Sequence, residues 1–462
     1  MLLQRSFLSA SLCILLALPL TAQAQTPTPQ VTSIQKMKVF PLPGQLDSLP
    51  MLNSNSPEIV QQAGILVSTL PGPDSADSPF LNYAFEGNFG VFSHHIAKDQ
   101  HPGQRLLYLG LLVTNQTQKT IRLTRKEGAS YLSQPDALFK PLPSFSQNPQ
   151  AQIYAGPGDR VTTELLAGKS QLSAEVIEIP PLSTQLVFSQ PVPTNVAILP
   201  AINGRSSLMY FHSDGPVYLS HLAHFAEKEA GRFVPPTLDD YRQLLDQRIL
   251  AGQREPEPTA YDPEDPPPGG TFTYGRVSGV SQGLHWQGKF FEKTRILERP
   301  APGETVAYPF SSVYLKRWGT QQNQSGKMLQ RYPGSAYQSH ANYGVRYDLE
   351  LPLHNDTAKF ATYSLGLSHP SHMGGTAKNA EMTYLYPPNK PVMFRGSARL
   401  RWVDEYNQQQ DQMVHMVLRH GEETAPITML TLPPGVHYNL KLSLFYPADC
   451  TPPQLLTLRR IE

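Results

Sequence analysis

The stretch from Asn342 to Leu367 carries the sharpest pattern in the chain. Val345, Tyr347, Leu349, Leu351 and Leu353 are apolar, and Arg346, Asp348, Glu350, Pro352 and His354 alternate with them. Strict period-two alternation predicts a strand with one buried and one wet face. Asn355-Asp356-Thr357 breaks the run with turn chemistry, and Phe360 to Leu367 runs back. The pattern predicts a strand, a tight turn and a partner strand. An echo lies earlier in the chain. Asn88-Phe89-Gly90-Val91 matches Asn342-Tyr343-Gly344-Val345, and Leu107, Leu109, Leu111 and Val113 match Tyr347, Leu349, Leu351 and Leu353. Asn115-Gln116-Thr117 matches Asn355-Asp356-Thr357, and the first copy carries extra residues around His94 to Gln104. A two-proline turn feeding a late strand follows each copy, at Pro180-Pro181 and at Pro433-Pro434.

Many short strands punctuated by Pro and Gly predict a mostly-β chain built as two β-sandwich-like modules. One substantial helix is expected at about 237–251. Thr237 is its N-cap, Asp240 sits three residues on, and Gly252 is its expected stop. Leu238, Tyr241, Leu244, Leu245 and Ile249 form its apolar face. Arg160 to Leu166 fits either helix or strand. Residues 37–252 are read as the first β-rich module and 271–462 as the second. The Pro-dense stretch 253–270 between them suits a semi-rigid linker.

The N-terminus adds a compartment. Arg5, the apolar run Phe7 to Leu20 and Ala22-Gln23-Ala24 have the form of a secretory signal peptide, residues 1–24. A Thr/Pro/Gln-rich leader, 25–36, is expected to be disordered. The apolar run is short for a membrane span, so no transmembrane segment is expected after cleavage. Cys13 leaves with the signal peptide, so Cys450 is expected to be a lone, buried thiol with no intramolecular partner. Lys plus Arg number 38 against 37 Asp plus Glu, which leaves no electrostatic footprint for nucleic acid.

No Gly-x-Ser-x-Gly elbow, His-Glu-x-x-His helix, phosphate loop or dinucleotide fingerprint is present. No catalytic residue, metal ligand or cofactor is assigned. The residues best suited to touch a ligand are Trp318, Trp286, His94 and His95. Trp318 lies beside Lys316 and Arg317 in a polar excursion and is the tryptophan expected to be most exposed. His94 and His95 are neighbours on a strand, so they face opposite ways and cannot chelate one ion without a bulge. His221 with His224, and His369 with His372, show spacings that could ligate but lack an identifiable third ligand. The acidic groups Asp74/Asp77, Asp262/Glu264/Asp265 and Asp404/Glu405 lack an EF-hand spacing.

Several stretches are distinctive. They include Phe40-Pro41-Leu42-Pro43-Gly44-Gln45-Leu46-Asp47, Ala129 to Pro135, and Tyr154-Ala155-Gly156-Pro157-Gly158-Asp159-Arg160-Val161. Tyr274 to Val280, Asn342 to Val345 and Leu432-Pro433-Pro434-Gly435 join them. Together, from Met37 to Arg460, they resemble a family of exported cyanobacterial proteins classed as a domain of unknown function. The resemblance implies an extracytoplasmic protein and carries over no catalytic residue. The expectation is an exported protein of the periplasm, cell surface or medium. Its expected role is non-enzymatic binding of polysaccharide, peptidoglycan or envelope proteins. The alternatives are a carbohydrate-active hydrolase with unlocated carboxylates and a self-assembling envelope component.

Overall fold

The computed structural model describes residues 29–73, 78–195, 201–260, 272–290 and 300–461. The expected signal peptide and residues 261–270 of the expected linker lie outside these. The chain is mostly β, as expected, with sheets of twelve, eight and seven strands and a two-stranded ribbon. The alternation at 345–353 is met residue by residue. In the strand Arg346–His354, Tyr347, Leu349, Leu351 and Leu353 are buried, and the residues between are half-buried.

The expected partner is different. Arg346–His354 does not pair with Ala361–His369. It pairs with His437–Phe445 and His285–Lys289 in the seven-stranded sheet. Ala361–His369 pairs with Thr428–Leu432 and Gln454–Arg460 in the eight-stranded sheet. The turn is therefore an arch between layers and not a hairpin. The reason is packing: Leu349, Leu351 and Leu353 enter the same core as Ala361, Tyr363, Leu365 and Leu367, each layer presenting its apolar face to the other.

The first copy repeats this arch. Leu106–Asn115 pairs with Ser183–Pro193, and Ile121–Leu132 pairs with Glu175–Ile179. The two-proline turns lie opposite the Asn turns, and the Asn side chain joins them. Asn355 is fully buried; its amide N–H groups donate to Lys359 O at 2.7 Å and Leu432 O at 2.8 Å. Its Oδ1 accepts from Thr357 N at 3.1 Å and Thr357 Oγ1 at 2.7 Å. Asn115, also fully buried, donates to Lys119 O at 2.7 Å and to Ile179 O and Pro180 O at 3.0 Å. It accepts from Thr117 N and Oγ1 at 2.8 Å. Buried carbonyls at an arch have no ladder partner, and the two asparagines supply it.

The sheets do not follow the two halves of the chain. Val31–Val39 pairs antiparallel with Asn379–Tyr386 and parallel with Thr305–Phe310. Residues 31–36, expected in a disordered leader, thus belong to a nine-residue strand. Pro50–Ser54 pairs with Ser278–Gln282, and Phe145–Gln147 pairs with Gln409–Arg419. Two helices occur among the described residues. The expected one spans Leu238–Gln247, with the Thr237/Asp240 capping box in place. It stops earlier than expected because Arg248 takes the left-handed cap conformation, which leaves Ile249 exposed. Tyr241 docks it against Gly110, where a Cβ would lie 2.4 Å from the ring. The second helix, Pro157–Leu166, settles the ambiguous segment. Its Asp159 meets His415 Nε2 at 2.8 Å with both side chains fully buried, and also accepts from Ala155 N at 2.8 Å. Thr163 reaches Ser397 at 2.9 Å. A first-half helix is thus fastened to the second-half sheet.

Asn355→Ala strands the buried Leu432 carbonyl, the part-buried Lys359 carbonyl and a backbone N–H, and is expected to lower stability by about 2–4 kcal/mol. Asp159→Ala leaves buried His415 Nε2 and Ala155 N without their partner and is expected to cost about 2–4 kcal/mol. Urea unfolding with tryptophan fluorescence reads both. An unchanged midpoint for Asn355→Ala rules out the arch clamp.

Candidate functional site

His94 and His95 sit on the strand Phe85–Lys98 and, as expected, face opposite ways. His95 points into a closed polar network. Its Nδ1 lies 2.7 Å from Pro57 O, and a carbonyl only accepts, so Nδ1 carries the proton. Nε2 then accepts from Ser54 Oγ at 2.9 Å, and Ser54 Oγ accepts in turn from His221 Nδ1 at 2.7 Å. Burial holds His95 well below the ordinary imidazole range and His221 at about 3. This neutral chain pins Pro50–Ser54 and Phe85–Lys98 to the long strand Ile202–Phe225 and is closed to solvent.

His94 points the other way, onto the wall of a cavity of about 730 Å3. Both halves of the chain build this cavity. Asn53, Asn55 and Glu58 come from the first; Tyr274, Tyr343 and Asp449 come from the second. Glu58 is held by its own backbone N–H, which donates to Glu255 Oε1 at 2.5 Å. Asp449 lies in the connection between His437–Phe445 and Gln454–Arg460 with φ of 65°. A non-glycine residue in that region is uncommon, and such positions cluster at functional sites. His94 Nε2 lies 3.4 Å from Asp449 Oδ1 and 3.9 Å from Glu58 Oε1, while Nδ1 is 2.7 Å from Ser206 Oγ. Nε2 is buried and has no hydrogen-bond partner. Burial alone would lower His94, but the Asp449 and then the Glu58 carboxylate outweigh it and raise it above its ordinary value. Burial alone would raise Asp449, but His94 and then Arg395 hold it below the ordinary carboxylate range.

The other expected contact residues fall elsewhere. Trp286 is buried, donates from Nε1 to Pro43 O at 2.9 Å and stacks on Tyr347. Trp318 is also buried, and the half-buried Trp402, not Trp318, is the most exposed of the three tryptophans. A left-handed backbone turn places Trp318 against Met37, Met382 and Tyr384, and Lys316 Nζ covers its ring at 4.9 Å. Neither Trp286 nor Trp318 offers a stacking face. His221 and His224 part company, His224 meeting the Tyr241 ring. His369 faces Lys316 Nζ at 3.3 Å, and His372 is exposed. Asp404 is used up in its own loop, accepting from Tyr406 N and Gln408 N at 3.0 and 2.8 Å. Asp74/Asp77 and Asp262/Glu264/Asp265 lie outside the described residues. Cys450 is a buried free thiol, and burial pushes it up. Glu58 and Asp449 are not singled out by any local pattern, and Tyr274 and Tyr343 lie in distinctive stretches that carry no mark of a site; only the strand exchange brings the four to His94.

The chain belongs to the family described as "Protein of unknown function (DUF3370)", whose model matches residues 37–460. No curated protein matches it. Among solved structures, one of the Macrobrachium rosenbergii nodavirus is 10% identical, with 98% of this chain and 97% of that chain covered and a TM-score of 0.11. The 11S allergen of Cocos nucifera is 8% identical, with 84% and 90% covered and a TM-score of 0.12. At such scores these likenesses carry no argument. No helix among the described residues is long and apolar enough to cross a membrane.

Buried His95, His221 and His369 and half-buried His340 set an acid response. Burial holds His221 and His369 at about 3 and His340, beside the cavity, at about 4. The unfolded chain takes up protons near pH 6.5 that these folded groups refuse, so stability falls as pH drops from about 6.5 to 4. Each contributes up to about 1.4 kcal/mol per pH unit, while His94, being raised, works in the opposite sense. Thermal unfolding at pH 7, 6 and 5 is expected to show a falling Tm; a rise on acidification contradicts the neutral assignment.

Proposed function

We propose that this family member is an exported, non-enzymatic binding protein. Its ligand is a hydroxyl-rich segment of envelope polysaccharide or peptidoglycan, taken into the cavity beside His94. Export is supported by Arg5, the apolar run to Leu20 and the Ala22-Gln23-Ala24 site. The observation that carries the binding reading is the cavity itself. At about 730 Å3 it lies within the roughly 300–1,000 Å3 of small-molecule sites. Its walls suit a sugar. Asn53 and Asn55 bring amides that both donate and accept, Glu58 and Asp449 accept from hydroxyls, and the Tyr274 and Tyr343 rings offer apolar surface.

Hydrolysis is the competing reading, because the cavity holds two carboxylates. Ligand atoms of Glu58, His94 and Asp449 lie within 4.8 Å of one another. That is near the roughly 5–5.5 Å carboxyl separation of retaining glycosidases. Here, however, both carboxylates converge on one histidine instead of flanking open space, which favours binding.

Co-sedimentation with isolated peptidoglycan and envelope polysaccharide, followed by calorimetry with soluble fragments, tests the reading. Saturable binding competed by soluble glycan is expected. Tyr274→Ala, at a half-buried cavity position, is expected to weaken it about tenfold, or ~1.4 kcal/mol. No binding to either glycan sinks the proposal. Release of reducing ends, lost in Glu58→Gln, replaces it with a hydrolase.

A further inference from the structure

We propose that Glu58, His94 and Asp449 form a three-ligand site for a divalent transition-metal ion of the zinc class, with its remaining coordination position open to the cavity. The donor set is one imidazole nitrogen and two carboxylate oxygens, which suits zinc. The three residues come from distant parts of the chain, yet each brings a ligand atom to within 4.8 Å of the other two. This inference does not depend on what fills the rest of the cavity.

Both separations fall within ion-pair range, and the spacing suits a shared metal ion better than a proton bridging the two carboxylates. In the ion-pair reading, a proton on His94 Nε2 bridges the two carboxylates. A hydrogen bond from nitrogen to oxygen spans roughly 2.7–3.2 Å. The observed separations are 3.4 Å to Asp449 and 3.9 Å to Glu58, and Nε2 has no hydrogen-bond partner. Donors sharing one tetrahedral ion at bonds of ~2.1 Å lie about 3.4 Å apart. The first separation meets that value. The second exceeds it slightly on the side of Glu58, whose half-exposed side chain is free to close.

The surroundings fit as well. The His94 side chain is 7% exposed, and Ser206 Oγ sits 2.7 Å from its Nδ1. With Nδ1–H donated to Ser206, Nε2 turns its lone pair toward two carboxylate oxygens. That arrangement needs a cation between them, either a proton on Nε2 or a metal ion in its place. A hydrogen bond on the far ring nitrogen is also the usual way a metal-binding histidine is oriented.

The test is zinc titration of the metal-freed, purified protein by calorimetry, with Co2+ absorption as a second reading of the ligand set. One Zn2+ per chain is expected, together with a tetrahedral-type Co2+ spectrum. Asp449→Asn and Glu58→Gln are each expected to lower Zn2+ affinity by more than about tenfold, and Ser206→Ala by roughly 10–100-fold. Glu58 is exposed enough that its glutamine variant keeps the fold, so it decides the matter if the Asp449 variant does not fold. No Zn2+ binding by the wild-type chain overturns the proposal. So does wild-type affinity and stoichiometry in Glu58→Gln, which would place the ion on other histidines. Loss of glycan binding with zinc binding intact would count against the glycan reading alone.

Discussion

A strand that leaves one sheet and enters the facing one must carry its backbone through a corner where no neighbouring strand completes the hydrogen bonds. Two corners of this chain meet that demand with the same device. Asn115 and Asn355 each turn a buried amide toward the carbonyls of their own turn and of the opposing two-proline turn. Proline cannot donate from its nitrogen, so those turns offer acceptors but few donors. The asparagine supplies what is missing and ties the two corners of each layer pair together. Inward of the second arch, Leu349, Leu351 and Leu353 pack with Ala361, Tyr363, Leu365 and Leu367 in one core.

The halves so built are not independent surfaces laid side by side. Pro50–Ser54 takes Ser278–Gln282 as a neighbour, and Phe145–Gln147 takes Gln409–Arg419. The helix Pro157–Leu166 plants Asp159 against His415. Each exchange carries a loop from one half over the other. The loop holding Glu58 and the connection holding Asp449 thereby arrive on either side of His94, although nearly the whole chain separates Glu58 from Asp449. The cavity is a product of the exchange, and its polar wall is where residues without a shared local motif meet.

This explains what was legible in the sequence. Alternation from Val345 to Leu353 predicts the buried face directly, because period two depends only on neighbouring residues. The Asn-x-Thr turns and the proline pairs are legible for the same reason. Which strand lies beside which is not, since an arch and a hairpin share turn chemistry and differ only in what the far side packs on. Trp318 shows the same limit: charged neighbours make it look the most exposed of the three tryptophans, but a left-handed turn swings the ring inward and the Lys316 ammonium lies over it. His94 stood out by type alone. Glu58 and Asp449 carry no mark in the sequence, and the positive φ of Asp449 is a property of the folded backbone.

The central claim is that the exchanged halves create one functional centre at His94. The most direct measurement is an anomalous difference map at the zinc edge from crystals soaked in Zn2+. The account predicts the strongest peak between His94 Nε2, Asp449 and Glu58, facing the cavity. Peaks confined to other histidines, with none in the cavity, would contradict it.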